Sequence, residues 1–140
     1  MRRFTHALLA SLMIAPSAAL FIALLTGSLR QQGLALEWPE LIGGSRIEIL
    51  IVALPGMLTL LLAHRFLRGG RALGAAFAGC ALLACILAAF TYAQAFGTTW
   101  SNDEILLELV ATQFHLIALA LLPGTLLVSL LSAQRSLRAP

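Results

Sequence analysis

The stretch that decides the fold runs from residue 104 to residue 131 and reads EILLELVATQFHLIALALLPGTLLVSLL. It is long enough to cross a bilayer, because a membrane-spanning helix needs about 20 largely apolar residues. Its first half nevertheless carries Glu108, Thr112, Gln113 and His115. Glu108, Thr112 and His115 follow the i, i+4, i+7 spacing that places residues on one face of an α-helix. Since polar groups are costly in lipid, this spacing predicts that the face points into a helix bundle.

The composition of the whole chain indicates a membrane protein. Of its 140 residues 60% are hydrophobic and only 11% are charged, whereas a soluble domain has about 25% charged residues. A soluble domain of this size could not bury so much apolar surface. The net charge of +3 comes without any lysine and with arginines at the ends of apolar runs, so it does not indicate nucleic-acid binding.

Four apolar runs predict an all-α bundle of four transmembrane helices that forms a single membrane domain over 1–140. Helices are expected at about 4–28, 45–64, 72–96 and 104–132, outer loops at 29–44 and 97–103, and a cytoplasmic turn at 65–71. Pro16, Pro55 and Pro123 predict kinks in the first, second and fourth helices.

The first apolar run has an alternative interpretation. A basic start followed by an apolar run is also typical of a cleavable signal peptide, and Ala15 lies in a candidate cleavage region. The run continues past that region to Leu25. We therefore expect this segment to remain as the first transmembrane helix.

The distribution of charge predicts the orientation. Seven of the nine arginines fall on one side of a four-helix topology, namely Arg2, Arg3, Arg65, Arg68, Arg71, Arg135 and Arg138. The six acids fall on the other side, namely Glu37, Glu40, Glu48, Asp103, Glu104 and Glu108. Because positive residues accumulate in cytoplasmic loops, both termini are expected in the cytoplasm of a bacterial-type inner membrane.

The polar face of the fourth helix is the candidate site. At 1.5 Å of rise per residue, His115 is expected roughly 15 Å deep, where it could relay protons to Glu108. The structural alternative is that Glu108 pairs with Arg46 and that His115 hydrogen-bonds to another helix. Further members of the expected outer polar cluster, whether it is functional or structural, are Arg46, Glu48, Tyr92 and Gln94.

The third helix is rich in small residues, which let helix backbones approach closely. The residues expected to face protein are Gly70, Gly74, Ala75, Gly79, Ala84 and Ala88. Leu-Pro-Gly occurs at 54–56 and again at 122–124, which hints weakly at a repeat of two hairpins.

Neither a cofactor nor a metal is expected. Cys80 and Cys85 lie inside an apolar run, where cysteine packs as a small residue. His6 and His64 both lie near the cytoplasmic ends of helices, but the fourth helix offers the only deep histidine, so haem ligation is disfavoured. Glu108 and His115 alone are too few ligands for a metal site.

Three functions remain open. The leading hypothesis is a non-catalytic helix-bundle subunit that assembles with itself or with other membrane-protein subunits in the lipid bilayer. The alternative is a small oligomeric transporter or channel, linked to protons or cations, that uses the Glu108 and His115 site. A lipid- or quinone-interacting enzyme is the third, although no hydrolase, nucleotide-binding or metalloprotease motif occurs in the sequence.

Overall fold

The structure, a computed structural model, describes residues 2–33, 45–67, 70–95 and 99–136, with side chains described over a slightly smaller part of each range. All regular structure in these ranges is helical. The helices are α1 (Arg2–Leu12), α2 (Ile14–Gln31), α3 (Ser45–Ala63), α4 (Gly70–Ala95), α5 (Asn102–Ile105), a π-helical turn (Leu106–Ala111) and α6 (Phe114–Ser136).

Helices α1 and α2 together form one long apolar segment, Phe4–Gln31. The interruption between them falls at Met13, just before Pro16. Proline has no N–H to offer the carbonyl four residues earlier, which is that of Leu12, and its ring also crowds that carbonyl. The helix therefore breaks one turn upstream of the proline. Helices α3 and α6 continue through Pro55 and Pro123 without an interruption.

Helix α4 lies at the centre of the fold and packs against α2, α3 and α6. The middle of its inward face is made of small residues, with Ala81, Ala84, Cys85, Ala88 and Ala89 all buried. These short side chains let the neighbouring helices come close to the α4 backbone.

The large side chains of the core come from several helices and form one cluster that includes Phe21, Leu60, Phe77, Ile117 and Val128. Many other large apolar side chains, such as Ile51, Leu62 and Leu126, are more than half exposed. An apolar exterior of this kind is suited to contact with lipid.

The fourth expected helix is divided in the structure. Ser101 caps α5 with a reciprocal capping box to Glu104, and the chain then passes through the π-helical turn before α6 begins at Phe114. The helix expected over about 104–132 thus contains a π-helical turn in the structure. Thr112 N–H donates to the carbonyl of Leu107, five residues back, at 2.9 Å, and this spacing is the mark of a π-helix.

Three helices are long and apolar enough to cross a membrane: Phe4–Gln31, Gly70–Gln94 and Phe114–Leu131. The apolar part of α3, Ile47–Ala63, is shorter. The chain is thus an all-helical protein with several helices compatible with membrane insertion. Most of the expected outer loop, residues 34–44, lies outside the described residues.

Candidate functional site

A layer of buried and half-buried polar side chains joins α2, α4 and the residue before α6 near one end of the bundle. The hydroxyls of Thr26 on α2 and Tyr92 on α4 are hydrogen-bonded at 3.1 Å, and Thr26 also donates to the carbonyl of Ile22 at 2.8 Å. The Thr26 hydroxyl therefore lies between a backbone acceptor of its own helix and the phenol of α4.

A second hydrogen bond in the same layer connects α2 to the start of α6. Ser28 donates to Oε1 of Gln113 at 3.5 Å, a long and therefore weak bond. Gln113 is only 9% exposed. These two bonds tie three helices together with neutral groups only, and we call Thr26, Ser28, Tyr92 and Gln113 the polar layer.

The polar layer is a reference level from which the depth of the expected site residues follows. Gln113 is level with Ser28, which lies three residues before Gln31, the end of the first apolar segment. His115 lies two residues further in, so it is about 7–8 Å from that end, half the expected depth. Glu108 lies about 6–7 Å further out than Gln113, level with the end of α2.

The polar side chains that the sequence predicts on the inward face of the fourth helix do not point inward within the chain. Glu108, Thr112 and His115 are all exposed, and Gln113 is buried in their place. The expectation that His115 points into the bundle is therefore wrong for a single chain. The reason is the rotation of α6 about its axis, which buries Gln113, Leu116 and Ile117 on one face and leaves Thr112 and His115 outside that face. Gln113 is visible in the sequence as a polar residue, but helical periodicity alone does not tell whether Gln113 or Thr112 faces the bundle interior.

The other members of the expected cluster are only partly brought together. Tyr92 is buried in the polar layer, whereas Glu48 and Gln94 are exposed. The side chain of Arg46 lies outside the described residues, so its predicted pairing with Glu48 or Glu108 stays a prediction. In the described part of the chain, the buried polar residues are neutral: Ser11, Ser17, Thr26 and Gln113.

The small residues of α4 divide into two sets. Ala84 and Ala88 are buried, but Gly70, Ala75 and Gly79 are exposed. A Cβ built at Gly74 or at Gly79 would meet nothing within 4 Å. Within one chain, Gly70, Gly74, Ala75 and Gly79 therefore do not form the expected close contact.

Two other glycines make the close approaches. A Cβ at Gly56 would lie 2.9 Å from the backbone oxygen of Cys80, and one at Gly124 would overlap the ring of Phe77. Both belong to the repeated Leu-Pro-Gly sequence, and this repeat is the feature of the sequence that could have pointed to the two close contacts. The two glycines bring α3 and α6 onto α4 at points about one turn apart.

Among the described residues, no group of three or more His, Cys, Asp or Glu side chains could hold a metal ion. Nδ1 of His6 is buried without a hydrogen-bond partner, and His64 is half-buried. Cys80 and Cys85 are both free thiols, half-buried and buried respectively.

Fold and site together define a class: an all-helical, membrane-compatible bundle whose helices are joined by a neutral polar layer. Comparison with protein-family models, with curated proteins and with solved structures finds no match to this chain.

Proposed function

We propose that this chain is a non-catalytic helix-bundle subunit that assembles with copies of itself or with other membrane-protein subunits. The observation that carries the proposal is the character of the interior. The polar side chains buried in the described part of the bundle are neutral, and those of the polar layer are used to hold helices together. Interhelical hydrogen bonds of this type stabilise membrane bundles.

The proposal includes four spans with both termini in the cytoplasm of a bacterial-type inner membrane. Ile47–Ala63 would be about 25 Å long, slightly less than the roughly 30 Å of the hydrocarbon core. Local thinning of the bilayer or flanking residues that reach the interface can accommodate such a difference. The arginine distribution supports the orientation.

The exposed residues support the assembly. Ala75 and Gly79 present a small-residue surface on α4 that the other helices of the chain leave uncovered. His115 is an ionisable residue on the outer surface of α6, where it would meet lipid in an isolated chain. Contact with another subunit would remove both features from lipid.

The test is the assembly state of the purified protein in lipid nanodiscs, measured by native mass spectrometry. Gly79→Leu is compared with Ala118→Leu, which adds the same side chain at an exposed position of α6. Loss of assembly in Gly79→Leu alone would support contact through α4. A parent chain that is monomeric, and that co-purifies with no other subunit from its native membrane, would contradict the proposal.

The second candidate is an oligomeric transporter or channel linked to protons or cations. It is favoured by one observation: Glu108 and His115 are both exposed on the same end of the α6 segment, so a path that uses them would run between chains. Ionisable residues within membrane segments commonly mark such paths. The test is proton or cation flux into liposomes. Glu108→Gln should abolish the flux in a protein that still folds, whereas a parent without flux would exclude this candidate.

A further inference from the structure

The backbone hydrogen-bond pattern changes at the end of the π-helical turn Leu106–Ala111. In an α-helix the N–H of Thr112 would donate to the carbonyl of Glu108, four residues back. Here that N–H donates to Leu107 instead, and the hydroxyl of Thr112 donates to the Glu108 carbonyl. The threonine side chain therefore replaces the backbone donor that the π-helical turn withdraws.

The sequence of this segment also suits a second register. In the structure Ile105 and Leu109 are buried, whereas Leu106 is 40% exposed and Val110 is half-buried. An α-helix continued back from Gln113 would turn Leu106 inward in place of Ile105, and Val110 inward beside Leu109, because positions three, four and seven residues away share a face. Both registers therefore bury apolar side chains against α4.

We propose that Leu106–Ala111 is a switch between a π-helical and an α-helical register, and that the hydroxyl of Thr112 favours the π-helical one. Conversion to the α-helix would rotate the segment before Gln113 by one residue, about 100°, and move it about 1.5 Å along its axis. Helix α6 and the hydrogen bond between Ser28 and Gln113 stay in place. The carboxylate of Glu108 moves around the helix axis, so the switch changes which groups that carboxylate faces.

Two general properties of helices support such a switch. π-helical turns occur mostly as single interruptions of α-helices and often at functional positions. Packed helices change between discrete arrangements rather than deforming continuously. The contacts of the segment with the rest of the bundle are mainly with α4, so a change of register repacks one interface.

The experiment reads the register from the methyl groups of Ile105 and Leu106. Relaxation by a nitroxide-labelled lipid is measured by NMR in nanodiscs for the parent, for Thr112→Val and for Thr112→Ser. In the parent and in Thr112→Ser, which keeps the hydroxyl, Leu106 should be relaxed more strongly than Ile105. Thr112→Val keeps the side-chain shape but loses one hydrogen bond, so the ratio of the two registers should shift about fivefold towards the α-helix. Equal behaviour of Thr112→Val and Thr112→Ser would overturn the proposal.

Deletion of Ala111 is the second variant, because it removes the extra residue of the π-helical turn. The deleted chain should fold with Ile105 protected, and Thr112→Val should then have no further effect on the two methyl groups. If Thr112→Val prevents folding of the parent but not of the deleted chain, the hydroxyl is needed by the π-helical turn, as proposed. If Thr112→Val disturbs both chains equally, the hydroxyl has another role and the switch is rejected.

Discussion

The ring of Phe77 on α4 lies directly against the backbone of Gly124 on α6. A Cβ at residue 124 would overlap Cζ of the ring and would lie 2.7 Å from Cε1. Phe77 is completely buried, so its ring has little freedom to move away. The contact between these two residues therefore sets how closely α6 approaches the central helix.

Gly124→Ala should destabilise the protein by about 1–3 kcal/mol, the usual cost of overpacking a core. The cost should be smaller in a Phe77→Leu background, because the shorter side chain leaves room for the new methyl group. Unfolding in lipid bicelles measures the four free energies of the double-mutant cycle. Gly79→Ala is the matched control, since a Cβ there meets nothing within 4 Å of the same chain. Additive costs of Gly124→Ala and Phe77→Leu would contradict this account.

Gly56→Ala should lower the free energy of unfolding at least as much as Gly124→Ala. Shortening the contacting side chain should not restore this loss. The Cβ of an alanine would lie 2.9 Å from the backbone oxygen of Cys80, which no side-chain rotation can move. Cys80→Ala should therefore leave the cost of Gly56→Ala unchanged. Helices α3 and α4 would have to separate, which loosens the packing along their whole interface. A rescue of Gly56→Ala by Cys80→Ala in the same unfolding assay would show that the close contact involves the thiol instead.

The hydrogen bond between Thr26 and Tyr92 should appear as a coupling energy. Thr26→Val and Tyr92→Phe each remove one hydroxyl, and their effects on the free energy of unfolding should be non-additive by about 0.6 kcal/mol, the average measured for interhelical bonds in membrane proteins. Thr59→Val is the control, because the hydroxyl of Thr59 bonds within α3 to the carbonyl of Pro55. Coupling of Tyr92→Phe to Thr59→Val as large as to Thr26→Val would refute the assignment.

Arginine substitutions should show that Gln113 is buried in the bundle and that His115 is exposed. Gln113→Arg places an unpaired charge in a buried position, so we expect a loss of about 3–5 kcal/mol or failure to fold. His115→Arg should cost much less, because an exposed arginine can extend its charged group towards the interface. Expression and unfolding of the two variants measure the order. The reverse order would restore the inward-facing stripe expected from α-helical periodicity.

The orientation is tested with reporter fusions. Fusions after Gly70 and after Pro140 should report the cytoplasm, and fusions near Trp38 and Ser101 should report the outer side, because arginines concentrate on the first side. A cytoplasmic signal at Ser101 would contradict the four-span topology. It would also suggest that the short segment Ile47–Ala63 does not cross the bilayer.

The candidate site could be predicted from the sequence only in part. The residue types were evident, because polar residues in an apolar run are conspicuous. The choice between Gln113 and its neighbours Thr112 and His115 was not evident. That choice depends on the rotation of α6 about its axis, and the sequence does not fix this rotation because apolar residues occur on all sides of α6.

The sequence by itself determined that the chain is helical and that its helices are suited to lipid, because these properties follow from composition and from the length of the apolar runs. It also placed the interruption of the first helix approximately, near Pro16, since the effect of proline on a helix is local. The tertiary structure alone decided which small residues make contacts. Gly56 and Gly124 touch α4 while Gly79 faces outward, because helix contact depends on the rotation of each helix about its axis. That rotation is set by the simultaneous packing of all the helices against α4.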